Sequence, residues 1–440
     1  MPILLSSILP FTRRMWVRIA AIAGLALVAV GLTSIAGGLV PDRITDWVGK
    51  GAVDKLLEMM AGSMLAAIVF TLSVMVTLHR SVASTWTPRA HRLMVQDNVT
   101  LTAVAVFIGG WIYALAGLAF RESGVIQEHE SAILFLTTVM VLTLLVVVLV
   151  RWATHLTSLG SLEETGELVE RAAREAMRKR SREPALGGSL LTDDIRIPDS
   201  YVPVRAAVTG WVASIEVPSL GEAAESRNLP IYLTIPPGRF VAAGETIALA
   251  PAGMDEPIVA AVHIAELRDY AQDPRFGIVT LSEIAQRALS PGVNDPGTAI
   301  EITVRLLRVL LVWGEEEAEP PAHPLVFVPS VSTEGFIEDA FRPIARDGAS
   351  HVEVHEHVLK ALRRLSEHPD TALAEAARRE AEVTMRRAER ALDEPTDIDR
   401  LRPLLPARRA SAATVADGRR AWPVPVDGAA AHAPGEAAAP

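Results

Sequence analysis

Four apolar stretches mark the first third of the chain. Over 16–39 no charge follows Arg18, and 59–77, 99–120 and 131–150 contain no charged residue. A helix needs about 20 apolar residues to cross roughly 30 Å of hydrocarbon, so each stretch predicts a membrane-spanning helix, the second at the short end of the range. Arginines flank the stretches alternately. Arg13, Arg14 and Arg18 precede the first, Arg80, Arg89 and Arg92 lie between the second and third, and Arg151 follows the fourth. Between the first and second stand Asp42, Asp46, Asp54 and Glu58, and the 121–130 turn is mostly acidic. The positive-inside rule then places both termini in the cytoplasm of a four-span protein of the inner membrane.

After 150 the pattern changes. Ser161 and Glu164 form a capping box, and Leu168, Val169, Ala172, Ala176 and Met177 recur at helical spacing, which predicts a helix of about 20 residues. Its basic end (Arg171, Arg174, Arg178, Lys179, Arg180 and Arg182) reads either as a face toward anionic headgroups or as a solvated face. From 202 to 250 short alternating runs around Gly210 and before Pro236-Pro237-Gly238 predict strands, and 258–264 reads as another. Thr280 with Glu283 forms a second capping box opening a helix that Ser290-Pro291-Gly292 stops. A new helix begins with Asn294 or Asp295 as cap and Pro296 in its first turn. Ala-, Arg- and Glu-rich helices reach about Leu392, and the Ala/Pro-rich end is expected to be disordered.

The fold class expected is therefore membrane α-helical, with four transmembrane helices, joined to a cytoplasmic α+β region that includes a small β-rich module. The boundaries are 1–152 for the transmembrane domain, 153–190 for a juxtamembrane helix and linker, 191–262 for the β-rich module, 263–395 for an α+β/helical cytoplasmic domain and 396–440 for the tail.

Composition narrows the function. A net charge of −10 speaks against a nucleic-acid partner, and the absence of cysteine excludes disulfides and thiolate metal sites. A cleaved signal peptide is the rival reading of the first stretch, whose apolar run exceeds a usual signal-peptide core. Beyond Arg18 no Asp, Glu, Lys, Arg or His lies within the spans, which disfavours ion-coupled transport. Small residues four apart (Ala20 with Gly24, Ala105 with Gly109, Gly110 with Ala114) allow close helix packing within the chain or a homo-oligomer seam. Ser63, Thr71 and Ser73 would line a pore if several copies built one.

Two stretches carry resemblances. The run from Pro237-Gly238 through Val241 and Gly244 to Ile247 resembles the turn of lipoyl-type barrel-sandwich modules, without a nearby lysine to carry a prosthetic group. The sequence RALSPGVNDPGTA at 287–299 resembles the signature of the DUF2254 family of bacterial membrane proteins. QDPRFG at 272–277, WTPR at 86–89 and FIGGWIY at 107–113 are similar to other blocks of that family. The likeness covers roughly 60–370 and implies a membrane topology but no reaction. Gly297 departs from an aromatic usual in the family, and Arg268-Asp269 from an Arg-Thr pair.

The polar elbow at 290–296 is the candidate site. Arg268, Gln272, Asp273, Arg287, Ser290, Asn294 and Asp295 would gather at a helix N-terminus suited to an anion or an Asp–Arg pair. Asp273 and Asp295 would instead hold a divalent cation, although two carboxylates fall short of the six oxygens such ions take. The competing reading gives each residue a folding role: Asn294 and Asp295 cap, Pro291 and Gly292 turn, and Arg287 neutralises Asp273. His351, His355 and His357 lie on one face if their segment is a strand, or place His351 beside His355 if it is a helix, a spacing that binds zinc in some proteins. No metal, cofactor or ligand identity follows. The expected function is a non-enzymatic membrane protein whose cytoplasmic region binds a ligand or partner and reports to, or gates, the spans. The alternatives are a membrane-anchored enzyme using an Asp/Arg site and an oligomeric scaffold. The lipid bilayer is the one partner the pattern requires.

Overall fold

A computed structural model describes residues 51–85, 98–124, 131–158 and 162–407, with Arg89 and a few single positions between 17 and 31. Apart from those single positions, the first predicted span, 16–39, lies outside the described residues, as do Ser161 and the tail beyond 407. The helices are α1 (Ala52–Thr85), α2 (Asn98–Glu122), α3 (Ser131–Ser158), α4 (Leu162–Arg182), α5 (Val217–Arg227), α6 (Asp255–Ala261), α7 (Pro274–Ala288), α8 (Pro296–Leu311), α9 (Thr333–Asp347), α10 (Val352–Leu365), α11 (Thr371–Ala391) and α12 (Pro395–Leu401). The strands are β1 (Gly188–Leu191), β2 (Val202–Arg205), β3 (Gly210–Ile215), β4 (Ile231–Leu233), β5 (Phe240–Val241), β6 (Thr246–Ala250), β7 (Val262–Ala265) and β8 (His323–Pro329). The chain divides into two compact units, one of 1–174, 275–309 and 339–357, the other of 175–274, 310–338 and 358–440.

Among the described residues of the first unit, three helices are long and apolar enough to cross a membrane: Ala52–Thr77 within α1, Val99–Glu122 within α2 and Ile133–Leu156 within α3. The middle one is the hub, with 56% of its most apolar window buried against 17% for each of the others. Glycine brings its neighbours in. A Cβ on Gly110 would stand 2.9 Å from Leu145 of α3, and one on Gly117 would stand 3.0 Å from Leu57 of α1. The small residues of α2 thus pack within the chain. Trp152 is buried between Phe70 and Phe107, edge-on to each. Arg121, late in α2, donates through Nε and Nη2 to the two carboxylate oxygens of Asp54, early in α1, at 2.9 and 3.0 Å. The fork ties antiparallel helix ends together, and charges of this kind are tolerated only where a span leaves the hydrocarbon.

The same unit holds the start of α4, most of α7 and α8, and parts of α9 and α10. Leu281, Ile284, Ala285 and Ala288 of α7, with Ala299, Ile302 and Leu306 of α8, are buried, as the spacing predicts. Gly277 lets α7 approach α4 closely, since a Cβ there would lie 2.4 Å from that of Ala173. Arg89 pairs with Glu283 and lies 5.9 Å from the Phe276 ring centroid.

The second unit contains both sheets. The larger runs β1-β8-β4-β6-β2, with β8 parallel to β1 and β4, and β6 antiparallel to β4 and β2. The smaller, antiparallel throughout, runs β5-β3-β7. Val204, Val212, Ile215, Ile231, Leu233, Ile247 and Val326 form one core with Leu220 and Ala224 of α5.

Three expectations change. The run at 258–264 is α6 followed by β7, because Asp255, Glu256 and Pro257 open a helix that continues to Ala261. The Thr280–Glu283 box starts nothing: α7 begins at Pro274, and Thr280 is buried inside it, donating to the Phe276 carbonyl at 2.9 Å. Regular structure also enters the segment from 396 expected to be disordered, with α12 ending at Leu401 and a 3-10 turn at Arg402–Leu404.

Candidate functional site

The candidate residues fall into two groups, one in each unit. Arg287, Ser290, Asn294 and Asp295 belong to the elbow between α7 and α8. Once α7 ends, the amides of Val293 and Asn294 turn back to the Ser290 carbonyl at 3.0 and 2.8 Å, and that of Asp295 to the Ala288 carbonyl at 2.8 Å. The turn needs a left-handed residue, and Asn294 supplies it with φ +49°. The Ser290 hydroxyl donates to the Arg287 carbonyl at 2.6 Å. Asp295 caps α8, with Oδ1 accepting from the Thr298 amide at 3.1 Å and Oδ2 from the Thr298 hydroxyl. These bonds, the hydroxyl's foremost, hold its carboxyl below the usual carboxylate range. The elbow is exposed from Pro291 to Asp295, so it presents a surface turn.

Arg268, Gln272 and Asp273 lie in the other unit, just ahead of α7. Arg268 donates from Nε to Asp273 Oδ2 at 2.8 Å, and its Nη2 stands 2.6 Å from the same oxygen. Its guanidinium carbon lies 5.3 Å from the Trp211 ring centroid, a cation–π distance. Both side chains are largely buried, at 12% and 4% exposure. Gln272 clamps β3: its Oε1 accepts from the Ile215 amide at 2.8 Å and its Nε2 donates to the Ile215 carbonyl at 3.1 Å. Behind Asp273 runs the Pro236-Pro237-Gly238 turn. Gly238 has φ +85°, and a Cβ there would lie 2.1 Å from Asp273 Oδ2, so this backbone and this carboxylate require glycine.

One residue at this cluster was not singled out by the sequence. Arg180 of α4 is 2% exposed, and its Nε, Nη1 and Nη2 have no hydrogen-bond partner. Burial pushes its guanidinium down to about 10, against the opposing fields of Asp273 and Glu183. The signal was present: Val169, Ala173, Ala176 and Met177 are all buried, and Arg180 continues that stripe. The neighbouring arginines of this helix end meet acids. Arg178 lies 3.8 Å from Glu315 and Arg182 3.0 Å from Glu316. In the first unit, Glu170 is buried beneath Arg305 at 3.1 Å and a bidentate Arg308 at 2.6 and 2.7 Å.

The histidine segment is helical. His355 is buried in α10, with Nε2 3.1 Å from the Ala349 carbonyl, and His357 Nδ1 stands 2.8 Å from the Glu353 carbonyl. Among the described residues no group of three His, Cys, Asp or Glu side chains is placed to hold a metal ion.

The model of a family described as predicted membrane protein (DUF2254) matches residues 12–364. An uncharacterized protein of Mycobacterium bovis is 26% identical over 306 residues, which cover 64% of this chain and 58% of that protein. An uncharacterized protein of Mycobacterium tuberculosis matches with the same identity and coverage. The chain thus spans less than two-thirds of the length of these relatives. No solved structure matches it.

Proposed function

We propose that this chain, which belongs to the DUF2254 family of predicted membrane proteins, is a four-span inner-membrane protein with both termini in the cytoplasm, whose α+β region binds a ligand or partner rather than catalysing a reaction. One observation carries this reading, the way polar groups are divided between the two parts of the chain. In the spans, hydroxyls return to their own helices. Thr71 donates to Ala67, Ser73 to Val69, Thr138 to Leu134 and Thr143 to Val139, all within 2.8 Å. The buried Tyr113 hydroxyl joins α2 to α3 through Thr137 at 2.9 Å and Thr138 at 3.1 Å. Such a bundle suits an anchor better than a polar pathway. Buried charge is gathered instead in the soluble part, where Asp273 is engaged by Arg268, while the exposed Asp295 is engaged by Thr298, which favours binding over acid–base chemistry.

Two measurements test the reading. The chain has no cysteine, so single cysteines introduced at the exposed Ser123 and Ser226 report sidedness without background. An impermeant maleimide should label Ser123→Cys in intact cells and Ser226→Cys only after permeabilisation; the reverse order would overturn the topology. Melting of the full-length protein against divalent cations, nucleotides and phosphorylated metabolites tests binding. A ligand at about 100 times its Kd stabilises the folded state by roughly 2.7 kcal/mol. A panel without any shift would count against ligand binding.

A further inference from the structure

We propose that Arg180 anchors a buried oxyanion site in the second unit, taking the carboxylate or phosphate group of a small molecule beside the Arg268–Asp273 pair. The inference deepens the binding reading above and rests on it. A guanidinium has five N–H donors and stays ionised under ordinary conditions. At 2% exposure, with all three nitrogens unpartnered, Arg180 leaves its donors unmet, and its charge is offset by the fields of Asp273 and Glu183 without a direct partner. Water would satisfy the donors alone. An anion satisfies donors and charge together, and two oxygens of a carboxylate or phosphate match the parallel N–H edges of the guanidinium.

Neither nearby acid meets the Arg180 nitrogens. The Asp273 carboxylate already receives two guanidinium nitrogens of Arg268 on Oδ2, and the Gly238 turn lies against it. Glu183, the other acid whose field reaches Arg180, is half-exposed at the end of the helix. Asp273 is thus shared between the direct pair with Arg268 and the field at Arg180, and a small anion would give Arg180 the direct partner that neither acid supplies. Arg180 also sits on the helix that follows the last span within a few residues, α3 ending at Ser158 and α4 starting at Leu162. An anion bound there acts on the segment nearest in sequence to the membrane.

The test is melting of the full-length protein in zwitterionic nanodiscs, titrated with inorganic phosphate and separately with acetate, at ionic strength held constant with chloride. Wild type, Arg180→Met, Arg180→Lys and the exposed-pair control Arg178→Met are compared. The expected result is a saturable rise in Tm with one of the two anions. The rise should disappear in Arg180→Met, weaken in Arg180→Lys and persist in Arg178→Met. A response to phosphate alone assigns a phosphate group, and a response to acetate alone a carboxylate. No rise with either anion in the wild type overturns the site, whether or not Arg180→Met folds. A rise retained in Arg180→Met overturns it as well. A shift produced by a nucleotide or metal and unchanged in Arg180→Met removes this site while leaving the binding reading intact. Labelling of Ser226→Cys in intact cells beside a normal anion response removes the topology and leaves the site.

Discussion

Arg268 and Asp273, five residues apart, close a buried ion pair at 2.6 Å on a single carboxylate oxygen. Removing one member of such a pair leaves an uncompensated charge, a loss of about 3–5 kcal/mol. Asp273→Ala is expected in that range, because it leaves both Arg268 and Arg180 without their nearest compensating carboxylate. Arg268→Met, which keeps an apolar stem over Trp211, is expected to cost less. Chemical denaturation of both variants checks the order.

Asp295→Ala should cost about 1 kcal/mol, as a lost helix cap does, with Asp295→Asn closer to wild type. Because the folded-state carboxyl titrates below the usual range, its stabilisation is complete above that range. It is lost as pH falls from the ordinary carboxylate value through the folded one. Stability measured against pH should therefore show a smaller acid loss in Asp295→Ala than in wild type.

His368 gives a second pH dependence, at higher pH. Burial holds its imidazole below the ordinary histidine value, against the field of Asp370, and its Nδ1 accepts from the Asp370 amide at 3.1 Å. Above about pH 6.5 the ring is neutral folded and unfolded. Below that value the unfolded chain takes the proton first, so stability should fall as pH drops toward the folded value and then level off. In His368→Gln this step should vanish from the denaturation profile between pH 7 and 5, roughly the window in which histidine titrates.

Gly238→Ala should be among the most damaging single-methyl additions in the chain. A left-handed backbone alone costs a non-glycine residue about 1–2 kcal/mol. The new methyl would also meet Asp273 Oδ2 at 2.1 Å. Gly292→Ala, with open space around its Cβ and no positive φ, is the matched control and should melt near wild type.

How much of this was legible varies with the range of the interactions. The start of α8 could be read from Asp295 and Pro296, because capping is local, and the end of α11 from the limit of its Ala-, Arg- and Glu-rich stretch. The 258–264 run was ambiguous, since a short apolar run fits a strand or a buried helix turn equally well. The opposite case is β8, whose parallel partners β1 and β4 lie more than a hundred and about ninety residues earlier, with nothing local to announce the pairing. At the candidate site, the Arg268–Asp273 pair and the Gln272 clamp depend on a turn at 236–238 and a strand at 210–215, so the sequence named the residues but matched Asp273 with Arg287, where the structure pairs it with Arg268. Arg180 was hidden by its company: within a basic cluster it read as surface, although its position on the Val169–Met177 stripe marked it as core.

The two units are interleaved along the sequence, and this bears on how the protein is made and dissected. The spans are synthesised first, yet the unit that contains them also uses 275–309 and 339–357. Insertion into the bilayer therefore precedes completion of the unit being inserted, and the nascent spans wait for more than a hundred further residues. A cut anywhere from 175 to 274 deprives the membrane unit of α7 and α8 and leaves the other without β8 and α11, so neither half is obtained intact by truncation.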